Sequence, residues 1–125
     1  MATRFVSPTL ATGLYTPTLT HDTNVEGSTA YQSQYFRVGN MVTVSGLLTV
    51  DPILTATTTV LRISLPIASN FGANEDCGGT AAALVINGES GGIIADPTSN
   101  EAMLYFRPVD IVSATMSYIF MYRVI

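Results

Sequence analysis

The first candidate for chemistry is the segment Gly88-Glu89-Ser90-Gly91-Gly92, which matches the pattern Gly-x-Ser-x-Gly. In α/β hydrolases this pattern displays a nucleophilic serine on a sharp turn between a strand and a helix. Such a serine needs a following helix, and an acid and a histidine later in the chain. Residues 93 to 100 instead read Ile-Ile-Ala-Asp-Pro-Thr-Ser-Asn, and the sole histidine, His21, lies far upstream. We therefore interpret the segment as a glycine-rich hairpin turn.

Two further groups of polar residues have side chains that catalysis or metal binding could use. His21-Asp22 offers a base and an orienting carboxylate, but no activated nucleophile lies near it in the sequence. The segment Asn74-Glu75-Asp76, helped by Asp96 or Asp51, offers oxygen ligands of the kind that calcium prefers. Its acids do not alternate as they do in an EF-hand loop. We expect a solvated acidic loop, and an ion shared on an oligomer axis stays an open alternative.

Cys77 is the only cysteine, so it cannot form an intramolecular disulfide or a cysteine-based zinc cluster within one chain. It follows two acids, whose charge would raise the pKa of a thiol and make it less reactive. We expect Cys77 to pack as a small apolar residue. The sequence thus predicts a protein that is not an enzyme, with no catalytic residue, no metal ligand and no cofactor.

The composition indicates a protein that associates with other protein chains. Charged residues make up 11% of the chain, against roughly 25% in ordinary soluble domains. Lysine is absent and the formal net charge is -4, which argues against nucleic acid as a partner. So few charges on a small domain suggest that other subunits cover part of its surface. No apolar stretch reaches the roughly 20 residues that a membrane span needs, and we expect no membrane partner.

Hydrophobic periodicity predicts strands throughout. Tyr31 to Val38 and Met41 to Val50 flank Gly39-Asn40, a pair suited to a two-residue hairpin turn. The final residues, 115–125, alternate, and both of their faces are largely apolar, which predicts a central strand buried on two sides. Further β-branched or aromatic runs lie at Tyr15 to Thr20, Thr58 to Leu65, Ala81 to Ile86, Gly92 to Ala95 and Glu101 to Arg107.

These runs make about eight short strands, which predicts a single all-β domain over residues 15–125, an antiparallel β-sandwich or jelly roll. Residues 1–14 lack any period, and we expect them to form a short N-terminal arm. Its apolar side chains Phe5, Val6 and Leu10 are the candidate anchors for docking on a neighbouring protein. The tyrosines and phenylalanines at strand spacing are predicted core or intersubunit contacts, and a sugar-binding platform is the alternative.

Four segments together resemble a module of tailed-bacteriophage structural proteins, and the resemblance covers about residues 13 to 125. They are Tyr15-Thr16-Pro17-Thr18-Leu19-Thr20, Gln34-Tyr35-Phe36-Arg37-Val38-Gly39-Asn40-Met41-Val42-Thr43-Val44-Ser45-Gly46, Ile63-Ser64-Leu65-Pro66-Ile67-Ala68-Ser69-Asn70-Phe71 and Tyr122-Arg123-Val124-Ile125. The resemblance implies a trimeric jelly-roll knob, found at tail-fibre tips and in proteins on the capsid surface, and it brings no catalytic residues.

A tail-fibre protein normally carries a long shaft before its tip, whereas about 14 residues precede the module in this sequence. We therefore expect a capsid decoration, or cement, protein. It would be made in the host cytoplasm and would form a homotrimer on the capsid exterior, bound to the major capsid protein. The alternative is a receptor-binding knob at a fibre or spike tip that recognises host surface glycans.

Overall fold

A computed structural model describes residues 9–125 of the protein. These residues contain ten strands and one short 3-10 turn, Asn74–Asp76. The strands are β1 (Leu10–Tyr15), β2 (Leu19–Thr23), β3 (Val25–Ala30), β4 (Ser33–Val38), β5 (Met41–Pro52), β6 (Thr59–Ile63), β7 (Cys77–Ala83), β8 (Ser90–Asp96), β9 (Glu101–Phe106) and β10 (Ala114–Arg123). The all-β prediction is confirmed. Across residues 9–125 no helix is long and apolar enough to cross a membrane.

All ten strands belong to one antiparallel sheet that curls around a common core. The strand order is β1-β4-β5-β10-β7-β8-β9-β6-β2, and β3 pairs with the second half of β5 beyond the end of β4. Each strand therefore has one face towards the core and one face outwards. The sheet curls far enough for β2, at its end, to approach β3, where the His21 ring Nε2 lies 2.8 Å from Ser28 Oγ.

The predicted hairpin at Gly39-Asn40 is confirmed. β4 and β5 pair in antiparallel register, with Val38 opposite Met41. Gly39 has a φ of 61°, while Asn40 is not among the residues with positive φ. Only the first loop residue therefore needs the left-handed region, as in a type II′ turn. The loop is anchored further because the Gly39 N–H donates a hydrogen bond to the Thr9 carbonyl oxygen at 2.8 Å.

β10 lies at the centre of the sheet, between β5 and β7, as the alternating final segment suggests. Met116, Tyr118, Phe120 and Tyr122 point inwards and are at most 2% exposed. The prediction that both faces of this strand are buried is wrong for the isolated subunit. Ile119 and Met121, on the outward face, are about half exposed, because nothing in the described chain covers this side of the sheet.

The boundary between the predicted arm and the domain is also corrected. Leu10–Tyr15 is a strand that pairs along its whole length with β4, so the described part of the arm belongs to the sheet. The predicted strand from Tyr15 to Thr20 is instead the end of β1, a break around Pro17, and the start of β2. Proline lacks the N–H that a ladder needs, which explains the break. Phe5 and Val6 lie outside the described residues.

The core is built from the inward side chains of the central strands. A large share comes from β5 and β10, and β6, β8 and β9 complete it from the opposite side. The fully buried large side chains include Tyr118, Tyr122, Phe120, Leu48, Leu61, Ile63, Ile93, Leu104 and Met116. Tyr118 and Phe120 stack with their ring centroids 6.0 Å apart. Because these inward side chains are packed together, the outward side chains of the same strands are held in fixed positions.

Candidate interaction surfaces

The outward side of six adjacent strands forms one continuous surface, which we call the outer face. The pairing registers align its residues in rows across the sheet. They are Leu10, Thr12 and Leu14 on β1, Gln34, Phe36 and Val38 on β4, Met41, Thr43, Ser45 and Leu47 on β5, Ser117, Ile119, Met121 and Arg123 on β10, Gly78, Thr80 and Ala82 on β7, and Ser90, Gly92 and Ile94 on β8.

The outer face has a bulky half and a small half. The first, which we call the apolar strip, consists of exposed large side chains on β1, β4 and β5: Leu10, Leu14, Phe36, Val38, Met41 and Leu47. The second, which we call the shelf, consists of small side chains on β7 and β8: Gly78, Thr80, Ala82, Ser90 and Gly92. Ile119 and Met121 on β10 stand between them. Four shallow depressions open on this face, so it is corrugated and not flat.

Charge is nearly absent from the outer face. Arg123 is its only charged member, and it lies at the end near the Gly39-Asn40 hairpin. Its Nη2 atom lies 3.2 Å from Asp76 Oδ1 in an exposed ion pair. The remaining polar groups of the face are hydroxyls and the Gln34 amide. Such a surface is poorly suited to binding a highly charged partner, and it offers apolar area with scattered hydrogen-bonding groups.

A second exposed apolar surface lies at one end of the domain, where three loops meet. They connect β5 to β6, β7 to β8 and β9 to β10. The Ala56 N–H donates a hydrogen bond to the Pro108 carbonyl oxygen, which joins the first loop to the third. The Leu84 N–H donates to the Thr115 carbonyl oxygen, which joins the second loop to the start of β10. We call this surface the apolar loop end, and its exposed members are Ile53, Leu54, Leu84, Val85, Val109, Ile111 and Val112. Val85 is the most exposed of them, at 82%.

Glu89 supports the apolar loop end from beneath. Its side chain is 2% exposed, and its Oε2 accepts a hydrogen bond from the Val109 N–H at 3.0 Å. The Glu89 backbone also joins the end of β7, because its carbonyl accepts from the Ala83 N–H. One buried carboxylate therefore links two of the three loops. Sequence reasoning missed this role, since an acid inside a glycine-rich segment looks like a solvated turn residue.

The Gly-x-Ser-x-Gly segment occupies the turn before β8 and the first residues of that strand. Gly88 has a φ of 81°, which explains a glycine at that position. Ser90 begins β8 and faces outwards on the shelf, and a strand follows it where a nucleophile elbow requires a helix. The hairpin interpretation of this segment is confirmed, because β7 and β8 pair in antiparallel register on either side of the turn.

His21 and Asp22 lie on β2. The His21 ring contacts Ser28 on β3, while Asp22 contacts Thr23 and forms an ion pair with Arg62 at 3.5 Å. Each of the two side chains thus has a structural partner. The pair helps to hold the corner at which the chain turns from β2 into β3, and Asn24, with a φ of 59°, lies at that corner.

The acidic segment forms the 3-10 turn that leads into β7. Asp76 accepts hydrogen bonds from the backbone N–H groups of Gly72 and Ala73, at 2.8 Å and 3.0 Å. These backbone bonds lower the pKa of the Asp76 carboxyl, and the Arg123 guanidinium acts in the same direction. Within residues 9–125 no group of three or more His, Cys, Asp or Glu side chains is arranged to hold a metal ion. The carboxylate shapes its own loop.

Cys77 is buried in the core at the start of β7, where it packs as the sequence predicts. Burial raises the pKa of its thiol to about 12. The direction agrees with the expectation, but the cause is loss of solvation and not the charge of the preceding acids.

We expect the Cys77 thiol to resist alkylation in the native protein at pH 8, because it stays protonated and out of contact with solvent. Mass spectrometry after iodoacetamide treatment measures this directly, since each chain carries one cysteine. The same treatment in denaturant is the control and should modify the thiol fully. Rapid modification of the native protein would contradict the buried position.

Of the three candidate anchors of the arm, the structure describes one, Leu10. Leu10 is 69% exposed and lies on β1 in the apolar strip, so the structure joins it to the outer face. The predicted role of Phe5 and Val6 stays a prediction, because both lie outside the described residues. Close ring pairs among residues 9–125 involve core or half-buried aromatic side chains, namely Tyr15 with Tyr35, Phe71 with Tyr122, Tyr118 with Phe120 and Phe120 with Tyr122.

Comparison of the sequence with protein-family models and with curated proteins gives no match. The two surfaces therefore have to be interpreted from their own geometry and chemistry.

Proposed function

We propose that this chain is a structural protein of a bacteriophage virion, a capsid decoration protein that forms trimers on the capsid exterior. The observation that carries the proposal is the presence of two separate apolar surfaces, the outer face and the apolar loop end, on one small domain. Large exposed apolar patches mark places where other proteins bind. A subunit with two of them is equipped to contact copies of itself and a different protein at the same time.

The mechanism follows from summed contacts and needs no chemistry. A subunit that binds the shell at one surface and its own copies at another presents several linked binding sites to the shell. Linked sites bind far more tightly than single ones, because each additional contact forms at a high effective concentration. Binding to the assembled shell and not to its dissociated parts stabilises the shell by mass action.

We assign the apolar loop end to the major capsid protein. It lies at the tips of loops, where it projects beyond the ends of the strands, and Glu89 fixes the position of one loop. The predicted anchors Phe5 and Val6 precede Thr9, the first described residue, whose carbonyl oxygen accepts a hydrogen bond from the Gly39 N–H at the opposite end of the domain. The two candidate attachment points are therefore separable by experiment.

A receptor-binding knob at a fibre or spike tip is the second candidate, and one feature favours it. A depression on the outer face is lined by Phe36, Gln34 and Thr12, which bring together an aromatic ring, an amide and a hydroxyl. Such groups can bind sugars by stacking and hydrogen bonding. Copy number separates the candidates, because a decoration protein covers the shell whereas a receptor-binding knob occurs in few copies near the tail.

The test uses purified capsids that lack the decoration protein, to which wild-type and variant proteins are added. We expect wild-type protein to coat the shell, as seen by electron microscopy and by mass. The double variant Val85→Asp with Ile111→Asp should fail to bind, because it places charges in the proposed contact. Thr98→Asp, an exposed residue at the opposite end, is the matched control and should bind normally.

A further variant that begins at residue 9 tests the predicted anchors Phe5 and Val6 while leaving β1 whole. Loss of shell binding by this variant alone would move the attachment point to the N-terminal segment. Density confined to the tail, with no protein on the shell, would contradict the decoration proposal.

A further inference from the structure

We infer that the outer face is the surface through which the subunits of the trimer contact one another. The inference rests on the proposed function in taking the chain to be a trimer, and it goes further by naming the surface and its occupant, a second copy of this chain. The starting observation is that Leu10, Leu14 and Phe36 are at least half exposed on regular strands of a well-packed sheet. On strands of this kind the outward positions are normally polar when they face water.

The outer face can supply a large part of one protein contact. Six strands about 4.8 Å apart give a width of about 24 Å, and seven residues at about 3.3 Å give a length of about 20 Å. The projected area is thus about 500 Å², before the relief of the side chains is added. Stable protein contacts bury about 800 Å² of accessible surface on each partner. In a ring every subunit makes two contacts, so each neighbour covers about half of the outer face, and the surfaces beside the face supply the rest of each contact.

The chemistry of the face selects a second copy over other occupants. A phosphate-rich or strongly acidic partner would need a cluster of basic side chains, and Arg123 is the only charged residue among the members of the face. The single charge of the face, on Arg123, is offset by its ion pair with Asp76, so two copies of the face do not repel each other strongly. The hydroxyls of the face, such as those of Thr43, Ser45 and Thr80, both donate and accept hydrogen bonds. The hydroxyls of two identical faces can therefore bond to one another.

The two halves of the face supply the two different patches that a ring needs. A ring is made by heterologous contacts, in which one patch of a subunit meets another patch of the next. The large side chains of the apolar strip fit against small residues such as Ala82 and Gly92 of the shelf. β4 and β7 lie three strand spacings apart, about 14 Å. The outward side of a curled sheet is convex, so the apolar strip can face one neighbouring subunit while the shelf faces the other.

The test measures molar mass in solution by gel filtration with light scattering, at micromolar concentration. We expect the wild-type protein to have the mass of three copies. Phe36→Asp on the apolar strip and Ala82→Asp on the shelf should each lower the mass about threefold, to one copy. Both side chains point outwards from regular strands, so the far-ultraviolet circular dichroism of the variants should match the wild type.

Val85→Asp is the matched control, because it places the same charge on a residue that is more exposed than Phe36 but lies at the apolar loop end. It should keep the mass of three copies. A wild-type mass of one copy would overturn the inference, as would Phe36→Asp and Ala82→Asp variants that keep the wild-type mass. A trimer that dissociates as expected but never binds capsids would leave the inference standing and contradict the proposed function alone.

Discussion

Replacing Gly91 with alanine is expected to lower the free energy of unfolding by about 3 kcal/mol. An ideal Cβ atom at this residue would lie 2.3 Å from the Tyr105 carbonyl oxygen and 2.9 Å from side-chain atoms of Leu104 and Phe106. The nearest of these atoms belongs to the backbone of β9, which is paired to β8 at this position. A backbone atom held in a ladder can retreat only if neighbouring hydrogen bonds lengthen. The cost is therefore steric overlap in the core.

Gly92→Ala is the matched control, since a Cβ atom at residue 92 would have no neighbour within 4 Å. Its effect on the unfolding of an isolated subunit should stay within about 0.5 kcal/mol. Urea denaturation followed by circular dichroism measures both variants against the wild type. Equal losses in the two variants would mean that the approach of β9 to β8 is not what Gly91 serves. The comparison also tests the hairpin interpretation of the segment, since Gly91 then has a structural reason to be glycine.

The strands that the sequence predicts are those whose signals are local. β10 alternates over its whole length, and the β4–β5 hairpin combines alternation with a glycine at the turn. Such elements need no knowledge of the rest of the chain, because period and turn chemistry decide them. β9 alternates only in its second half, where Tyr105 is exposed between the buried Leu104 and Phe106.

The strands that the sequence does not predict depend on their partners. β1 reads Leu-Ala-Thr-Gly-Leu-Tyr, where glycine and alanine weaken the period, and it forms because β4 offers a free edge. β3 contains Glu26, Gly27 and Ser28 and is held by the second half of β5. In both cases tertiary pairing overrides a weak local preference. For the same reason Leu10, which is predicted to lie in an arm, lies on β1 in the apolar strip.

The outer face cannot be predicted from the sequence, and the apolar loop end only in part, because both are assembled from segments far apart in the chain. The outer face needs the order β1-β4-β5-β10-β7-β8, which no local pattern specifies. The apolar loop end did leave a signal, since pairs such as Ile53-Leu54, Leu84-Val85 and Ile111-Val112 lie among turn residues outside the strands. Apolar pairs that lie in exposed turns have no core to enter, and they indicate a candidate interaction surface.

Phe120→Ala and Met121→Ala, at adjacent positions on β10, are expected to change the free energy of unfolding by very different amounts. Phe120 is 1% exposed and packs between Tyr118 and Tyr122, so its truncation leaves a cavity in the core. We expect a loss of about 3–5 kcal/mol in the free energy of unfolding. Met121 is half exposed on the outer face, where truncation removes no contact within the core. Its effect on the unfolding of an isolated subunit should stay within about 0.5 kcal/mol.

The same two variants should also differ when the stability of the trimer is measured. Met121→Ala removes apolar area from the proposed interface, so its trimer should dissociate at higher protein concentration than the wild type in sedimentation velocity. Phe120→Ala should assemble as the wild type does under conditions in which it remains folded, because its side chain points away from the interface. A Met121→Ala trimer as stable as the wild type would count against the outer face as the contact. Because neighbouring residues on a strand face opposite ways, one strand can serve two separate purposes: Phe120 secures the fold, and Met121 belongs to the proposed trimer contact.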